Sequence, residues 1–318
     1  MLQQIKSVFR NNDTINLMAV SLYTKAVQPI IAKRNAARLG LKLNFSDQLI
    51  DIYGNNQHIR ISRKHIIYLD GVMNDFRYYA DAVEPDESGI VDFSRSKAHI
   101  VKGYDLHPII FPALAEPMAT TSQYLEFANL SEGSVSIDLG AYSGLTSIMF
   151  RELSGTTGKV IAIDADDLNI VAIKENLKNY HEKTGKTVDL LEGAVWTHSD
   201  GIKFSQEGNM GSSATDIVGR RVKSTRLVKS FTLMNVAEMF HLDRVDFIKC
   251  DIEGAEAYIF GDKDFFSKYT PRIIVEAHLV DGASTANTVK KALEPFGYKF
   301  KIIQQAGEGL PLMECWVA

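Results

Sequence analysis

The stretch Val135–Gly144, VSIDLGAYSG, most constrains what this chain can fold into, because it reads as a buried strand running into a ligand-handling turn. Val135 and Ile137 mark the strand, which ends at Asp138; Gly140 and Gly144 then flank a short loop before an apolar helix. Glycines at such places let the backbone turn sharply and approach a ligand closely. A second strand, Val160–Ile163, ends at Asp164, 24 residues after Gly140. An acid at that distance suits a pair of ribose hydroxyls, so the pattern points to an adenosine-type ligand. Taken alone, D-x-G is also compatible with an ordinary strand-to-helix turn; the strand–loop–helix–strand–acid context favours the ligand.

The spacing separates two classes of ligand. A dinucleotide site carries G-x-G-x-x-G, so that a helix N-terminus can hold pyrophosphate. Here the loop is D-x-G-x-x-x-G, without the middle glycine. Its aspartate would repel a pyrophosphate but could accept from an ammonium group. The loop therefore favours S-adenosylmethionine over a nicotinamide dinucleotide. An NAD-dependent oxidoreductase is the enzymatic alternative, and a non-catalytic adenosyl-ligand binding or scaffold protein is the alternative from another class.

At 318 residues the chain can hold one full α/β domain and a smaller appendage. A formal net charge of −4 argues against a dedicated nucleic-acid binder. Cys250 and Cys315 both lie in apolar runs and read as buried free thiols of a reducing compartment. The most apolar N-terminal stretch, Ile15–Ala32, is interrupted by Lys25, Gln28 and Pro29, so no transmembrane segment is expected. The sequence INLMAVSLY is not followed by a persuasive small-residue cleavage site, and a cytoplasmic location is expected.

Texture divides the chain at about residue 125. Residues 1–125 read as a helical and antiparallel β region that supplies acceptor binding or a dimer contact. From Thr14 to Ser46 there is no acid, against Lys25, Lys33, Arg34, Arg38 and Lys42. This reads as two short helices with a basic face, broken near Pro29 and ended by Gly40. A solvated face or a homodimer contact is favoured there over a patch for anionic lipid or sugar phosphate. QLIDIYG, HIRIS and HIIYL, with the Gly54-Asn55-Asn56 turn, suggest an antiparallel meander that Val91–Phe93 and His99–Val101 could extend.

After a helix over Thr120–Leu130, residues 126–318 alternate strand and helix as a parallel sheet demands. Helix Asp166–His181 places Ile170, Ile173, Leu177 and Tyr180 on one face. Strands follow at Val188–Leu191, Val245–Cys250 and Arg272–Val275, and Tyr298–Ile303 with Met313–Val317 reads as a closing antiparallel hairpin. The count is seven strands.

With DFIKCDIEGAE at Asp246–Glu256 and IIVEAH at Ile273–His278, the sequence resembles the FkbM-type family of S-adenosylmethionine-dependent methyltransferases. Four blocks in order carry the likeness, IDLGAYSG, VIAIDAD, KCDIEGAE and IIVEAH, and it covers roughly residues 110–318. The resemblance implies an α/β, Rossmann-like class I methyltransferase fold with a seven-stranded, mostly parallel sheet, beside the smaller N-terminal α+β region. It also implies O-methylation of a small molecule or glycan. Carried over by position, Asp138, Gly140, Ala141 and Gly144 would cradle the methionine part of the cofactor. Asp164 would hold the ribose, the backbone near Ala194 would line the adenine, and Asp251 would sit beside the cofactor. Tyr142 stands where many relatives have asparagine, Asp164 where glutamate is commoner, and Met234 where an aspartate often follows Thr-Leu.

Ligands of open α/β sheets gather at the carboxyl ends of strands. Asp251 and Glu253, and Glu276 and His278 on the next strand, are each two apart, so an extended backbone would point each pair the same way. These four are the candidate catalytic residues. His278 or Asp251 could take the proton of an acceptor hydroxyl. A divalent cation on the carboxylates could acidify that hydroxyl instead, a less favoured reading, and no metal ligand is assigned. Alternatively, Glu253 and Glu256 hold backbone amides or surface cations near a helix start. His107, Glu116, Gln123 and Tyr124 are candidate acceptor contacts. Glu207–Lys229, with Gly208, Gly211, Arg220, Arg221, Lys223 and Arg226, reads as an edge strand with protective charges or as a lid over the pocket.

Overall fold

The computed structural model describes residues 28–205, 213–214, 225–280, 282–306 and 309–317. Backbone contacts divide the chain into two units, one of residues up to 80 with 85–94, the other of 81–84 with 95–318.

In the first unit, helix α1 (Gln28–Arg38) buries Ala32 and Ala36, and Gly40 ends it with φ 72°. A four-stranded sheet follows, β1 (Lys42–Phe45), β2 (Leu49–Gly54), β3 (Gln57–Ser62) and β4 (Val91–Phe93), in sequential order. β2 and β3 form the expected antiparallel pair, with Asn55 and Asn56 at positive φ in the turn, and β1 adds to β2 in antiparallel. Lys42–Phe45 is a strand that the sequence pattern did not place, although it lies beyond the Gly40 stop as expected. Three expectations are corrected. HIIYL is helical, within Arg63–Tyr68 and Leu69–Asn74, because the buried set Leu69, Val72, Met73 and Phe76 recurs at 3.6-residue spacing while Ile67 is exposed. Finally, β4 joins β3 in parallel, and in the second unit His99 ends a short strand, Lys97–His99, that pairs with Ile109–Phe111 rather than extending the meander.

The second unit is built on seven strands: β5 (Val135–Leu139), β6 (Lys159–Asp164), β7 (Asp189–Glu192), β8 (Phe247–Cys250), β9 (Arg272–Glu276), β10 (Tyr298–Gln304) and β11 (Pro311–Val317). Their spatial order is β10-β11-β9-β8-β5-β6-β7. Only β11 runs antiparallel to its neighbours β9 and β10, so the expected hairpin is present. This is the seven-stranded, mostly parallel α/β sheet that the sequence implies.

Period-two alternation sorts the strand residues onto two covered faces. On one, Ile137, Leu139, Ile161, Ile163, Ile248, Cys250, Ile273 and Val275 pack with Leu233, Val236, Phe265, Phe266, Val289 and Leu293 of the later helices. On the other, Val160, Phe247 and Ile274 meet Tyr124 and Phe127 of helix α2 (Met118–Ala128) and Phe150 of helix α3 (Leu145–Leu153). Helix α4 (Asp167–Thr184) adds Ile173 against Ala141 and Ala162. Asp166 caps α4 by accepting from the backbone of Leu168 and Asn169, and Gly185 closes it with φ 74°. Both cysteines are free and buried. No helix among the described residues is long and apolar enough to cross a membrane.

Candidate active site

The order β8-β5-β6 brings three strand tips together at the point where the chain reverses direction across the sheet, and a cleft opens there. Its empty space, open solvent at the mouth included, is about 750 Å³. The β5 loop contributes Gly140 and Tyr142, β6 contributes Ile163 and Asp164, and the turn after β7 contributes Gly193 and Ala194. Asp251, Ile252 and Glu253 come from the loop after β8. Ile202 and Phe204, from the strand Ile202–Ser205, add to the apolar part of the wall.

Gly140 adopts φ 76°, and a Cβ built on it would lie 1.8 Å from the Asp251 carbonyl oxygen. The β5 and β8 loops therefore touch backbone to backbone at a position where no side chain fits. Tyr142 also has positive φ, 51°. Its hydroxyl accepts from the Ala113 N–H at 3.1 Å and donates to the Leu114 carbonyl at 2.8 Å, which ties the loop to the segment before α2.

Register explains the charges beneath this loop. Lys249 on β8 is the Cα partner of Asp138 on β5, so the two side chains project from the same face. Lys249 Nζ lies 3.3 Å from Asp138 Oδ1, donates to the Gly140 carbonyl at 2.7 Å, and lies 3.8 Å from Asp251 Oδ2. Burial alone would lower the lysine pKa; Asp138, Asp251 and Glu116 outweigh it and hold the ammonium charged. Asp138 is fully buried and also accepts from Ser147 Oγ at 2.6 Å. It does not line the cleft but braces the loop from below, and the buried Ala141 and Gly144 are likewise outside the lining.

Asp164 does line the cleft. Its carboxylate accepts from the Tyr142 N–H and the Asp166 N–H, each at 2.9 Å, and from Asn169 Nδ2 at 3.3 Å. Burial pushes its pKa up to about 6 even so. Asn169 also lines the cleft, and its Oδ1 has no hydrogen-bond partner among the described residues. Glu116 closes the opposite side, accepting from Ser143 Oγ. Burial raises its pKa to about 7, against the opposing pull of Lys249.

Beside the cleft, the tips of β8 and β9 assemble four carboxylates around one imidazole. His278 Nδ1 lies 2.7 Å from Glu256 Oε1. Nε2 lies 3.5 Å from Glu276 Oε1, 3.7 Å from Glu253 Oε2 and 3.8 Å from Asp251 Oδ1. Burial would lower the imidazole pKa, but the charge and hydrogen bond of Glu256, with Glu253 and Glu276 behind it, raise it well above its usual value. Of these residues only Asp251 and Glu253 reach the cleft; Glu276 and His278 stand behind them, 6% and 7% exposed. Asp251 and Glu253 do not project from one extended strand, as their spacing predicts, because Glu253 sits in a turn with φ 55°. The turn nevertheless leaves both at the cleft.

The structure thus brings Gly140, Asp164, Ala194, Asp251 and Glu253 into one cavity, with Glu276 and His278 adjoining. Among the other candidates, Tyr124 packs under Lys249, its ring centroid 5.8 Å from Nζ. Gln123 donates to the Gln304 carbonyl at 3.0 Å, and His107 is 3.0 Å from the Tyr104 hydroxyl. None of these three lines the cleft. Sequence reasoning missed Lys249 and Asn169. A lysine inside the apolar strand FIKC was the available signal, since a buried ammonium requires a carboxylate partner. Of the proposed cover, Gly208, Gly211, Arg220, Arg221 and Lys223 lie outside the described residues. Thr225–Val228 forms a strand beside Ile202–Ser205, and Arg226 on it pairs with Asp167.

A FkbM methyltransferase from Methylobacillus flagellatus KT is similar over 92% of this chain and 60% of its own, with 14% identity and a TM-score of 0.41. A precorrin-6y C5,15-methyltransferase from Geobacter metallireducens GS-15 is similar over 62% of this chain and 87% of its own, with 16% identity and a TM-score of 0.40. An O-methyltransferase from Bacillus cereus in complex with SAH matches 64% of this chain and 82% of its own, at 9% identity and a TM-score of 0.40. No curated protein sequence matches the chain. The family model described as the methyltransferase FkbM domain matches residues 138–300, more than half of the sequence. The chain belongs to the FkbM methyltransferase family.

Proposed function

We propose that this protein transfers the methyl group of S-adenosylmethionine to a hydroxyl oxygen of a sugar or another small hydroxylated metabolite. The observation that carries the reading is the acidic end of the cleft, where Asp251 and Glu253 offer proton-accepting oxygens beside a glycine-floored, partly apolar cavity. The donor residues fit the cofactor: Gly140 leaves room where a Cβ would collide, and Asn169 Oδ1 is a buried acceptor awaiting a donor. S-adenosylmethionine supplies an electrophilic methyl group on a positively charged sulfur.

In this reading the methionine portion lies over Gly140, with its ammonium facing Glu116 and Asp251. Asp164 and Asn169 take the ribose hydroxyls, and Ala194, Ile202 and Phe204 flank the adenine. Asp138 acts through Lys249, which holds the Gly140 carbonyl in place. Asp251 accepts the acceptor hydroxyl's proton, while His278 behind it, oriented by Glu256, keeps positive charge next to Asp251, Glu253 and Glu276. Holding acceptor and donor in line supplies about 7–11 kcal/mol of the barrier reduction. A positioned base adds about 10²–10⁴-fold. Orientation by the cleft is therefore the larger effect.

The test is transfer of an isotopically labelled methyl group to a panel of sugars, phenols, amines and carbon acids, with the product's methyl position read by NMR. Ether formation supports the reading, and label confined to nitrogen or carbon refutes it. Calorimetry with S-adenosylmethionine and NAD separately tests the ligand class.

A further inference from the structure

The carboxylates beside the cleft are arranged around a point rather than around a proton. Cys250 on β8 is the register partner of Val275 on β9, so the next residues, Asp251 and Glu276, emerge side by side at the strand tips. His278 returns over them. One ligand atom from each of Asp251, Glu276 and His278 lies within 4.8 Å of the others.

An imidazolium paired with a carboxylate draws one oxygen to about 2.7–2.9 Å. Nε2 has no such contact: its three carboxylate oxygens stand 3.5, 3.7 and 3.8 Å away. Donors sharing a cation at about 2.0–2.2 Å sit roughly 3.0–3.4 Å apart, so the three groups, within 4.8 Å of one another, need only draw inward to share one. The groups behind the ring have the arrangement of outer-shell supports. Glu256 accepts from Nδ1–H at 2.7 Å, which leaves Nε2 as the nitrogen that would exchange its proton for a cation. Gln305 Nε2 donates to Glu276 Oε2 at 3.1 Å, while the other oxygen, Oε1, faces Nε2. His278 is 7% exposed, so water does little to balance the surrounding negative charge.

We infer that Asp251, Glu276 and His278 form a binding site for a divalent first-row cation, with Glu253 at its edge. One imidazole with two carboxylates suits Mn²⁺, Fe²⁺ or Zn²⁺ better than Mg²⁺ or Ca²⁺. Because Asp251 also lines the cleft, a bound cation there would attract an acceptor hydroxyl and lower its hold on its proton. That consequence rests on the methyl transfer proposed above; the binding itself does not.

The test uses the full-length protein and Mn²⁺ as the probe. The expected result is one Mn²⁺ bound per chain, read from loss of the free-ion EPR signal, with ¹⁴N modulation in the electron spin echo from His278. His278→Ala and Glu276→Gln abolish the binding, and Glu256→Gln weakens it about 10–100-fold. Wild-type protein that leaves millimolar Mn²⁺ free overturns the inference. So does bound Mn²⁺ without nitrogen coupling, a readout that needs no variant to fold. Mn²⁺ binding with no methyl transfer to any acceptor would uphold the site while refuting the proposed reaction.

Discussion

Replacing Gly140 by alanine tests the backbone contact on which the cleft depends. The new Cβ would lie 1.8 Å from the Asp251 carbonyl oxygen and 3.0 Å from its carbon, so the β5 and β8 loops must part by more than an ångström. The φ of 76° adds a penalty of about 1–2 kcal/mol for any L side chain. Overpacking adds about 1–3 kcal/mol, for a total loss of about 2–5 kcal/mol. In a unit of this size that lowers the thermal midpoint by about 4–20 °C. An ångström's displacement of Asp251 slows turnover by about 10²-fold. Gly185→Ala is the control, since it shares the positive φ, 74°, with nothing within 4 Å of its Cβ. Thermal unfolding of both variants, with calorimetric titration of S-adenosylmethionine, measures the difference. If Gly140→Ala melts alongside Gly185→Ala and binds the cofactor normally, the contact does not shape the site.

Three other perturbations bear on the same residues. Lys249→Met strands Asp138 without its buried partner and should cost about 3–5 kcal/mol in urea unfolding, with much of the loss recovered in Lys249→Met/Asp138→Asn; a single-variant loss under about 1 kcal/mol would refute the pairing. Asp251→Asn should lower kcat about 10²–10⁴-fold, and an unchanged kcat in a labelled-methyl assay would remove it from proton transfer. Folding raises the Glu116 carboxyl from 4.5 to about 7, so the folded state binds more protons than the unfolded one between those values. Stability of the cofactor-free protein should therefore fall as pH rises through that window, and Glu116→Gln should flatten the fall; identical pH profiles of the urea midpoint would contradict it.

The sheet was legible because its strands are buried on both faces and its helices carry their own stop signals. Ile137–Leu139, Ile161–Ile163 and Ile248–Cys250 declare themselves by apolar runs, and Gly185 by its place after a helix. HIIYL misled because five apolar-rich residues fit two periods, and only Val72, Met73 and Phe76 beyond them decide for the helix. The same limit applies at the site. Gly140, Asp164 and Asp251 fall at strand ends, where topology alone predicts a ligand. Asp138 has the motif's spacing, but its environment is set by Lys249 more than a hundred residues later, through β8–β5 register. Spacing along one segment carries no information about which distant charge lands opposite. Glu116 is hidden for a related reason: it reaches the cleft through a loop held by Tyr142, which has no regular period.

The lining of the cleft carries its own bias about which molecule should leave. Glu116, Asp251 and Glu253 contribute carboxylates to the wall, while the nearby ammonium of Lys249 is already engaged with Asp138 and Gly140. A wall with surplus negative potential favours a positively charged occupant over a neutral one of the same shape. In the proposed reaction, such a wall would hold a sulfonium more firmly than the thioether that remains once its methyl group has gone. Exchange of spent for fresh donor would then be favoured by electrostatics.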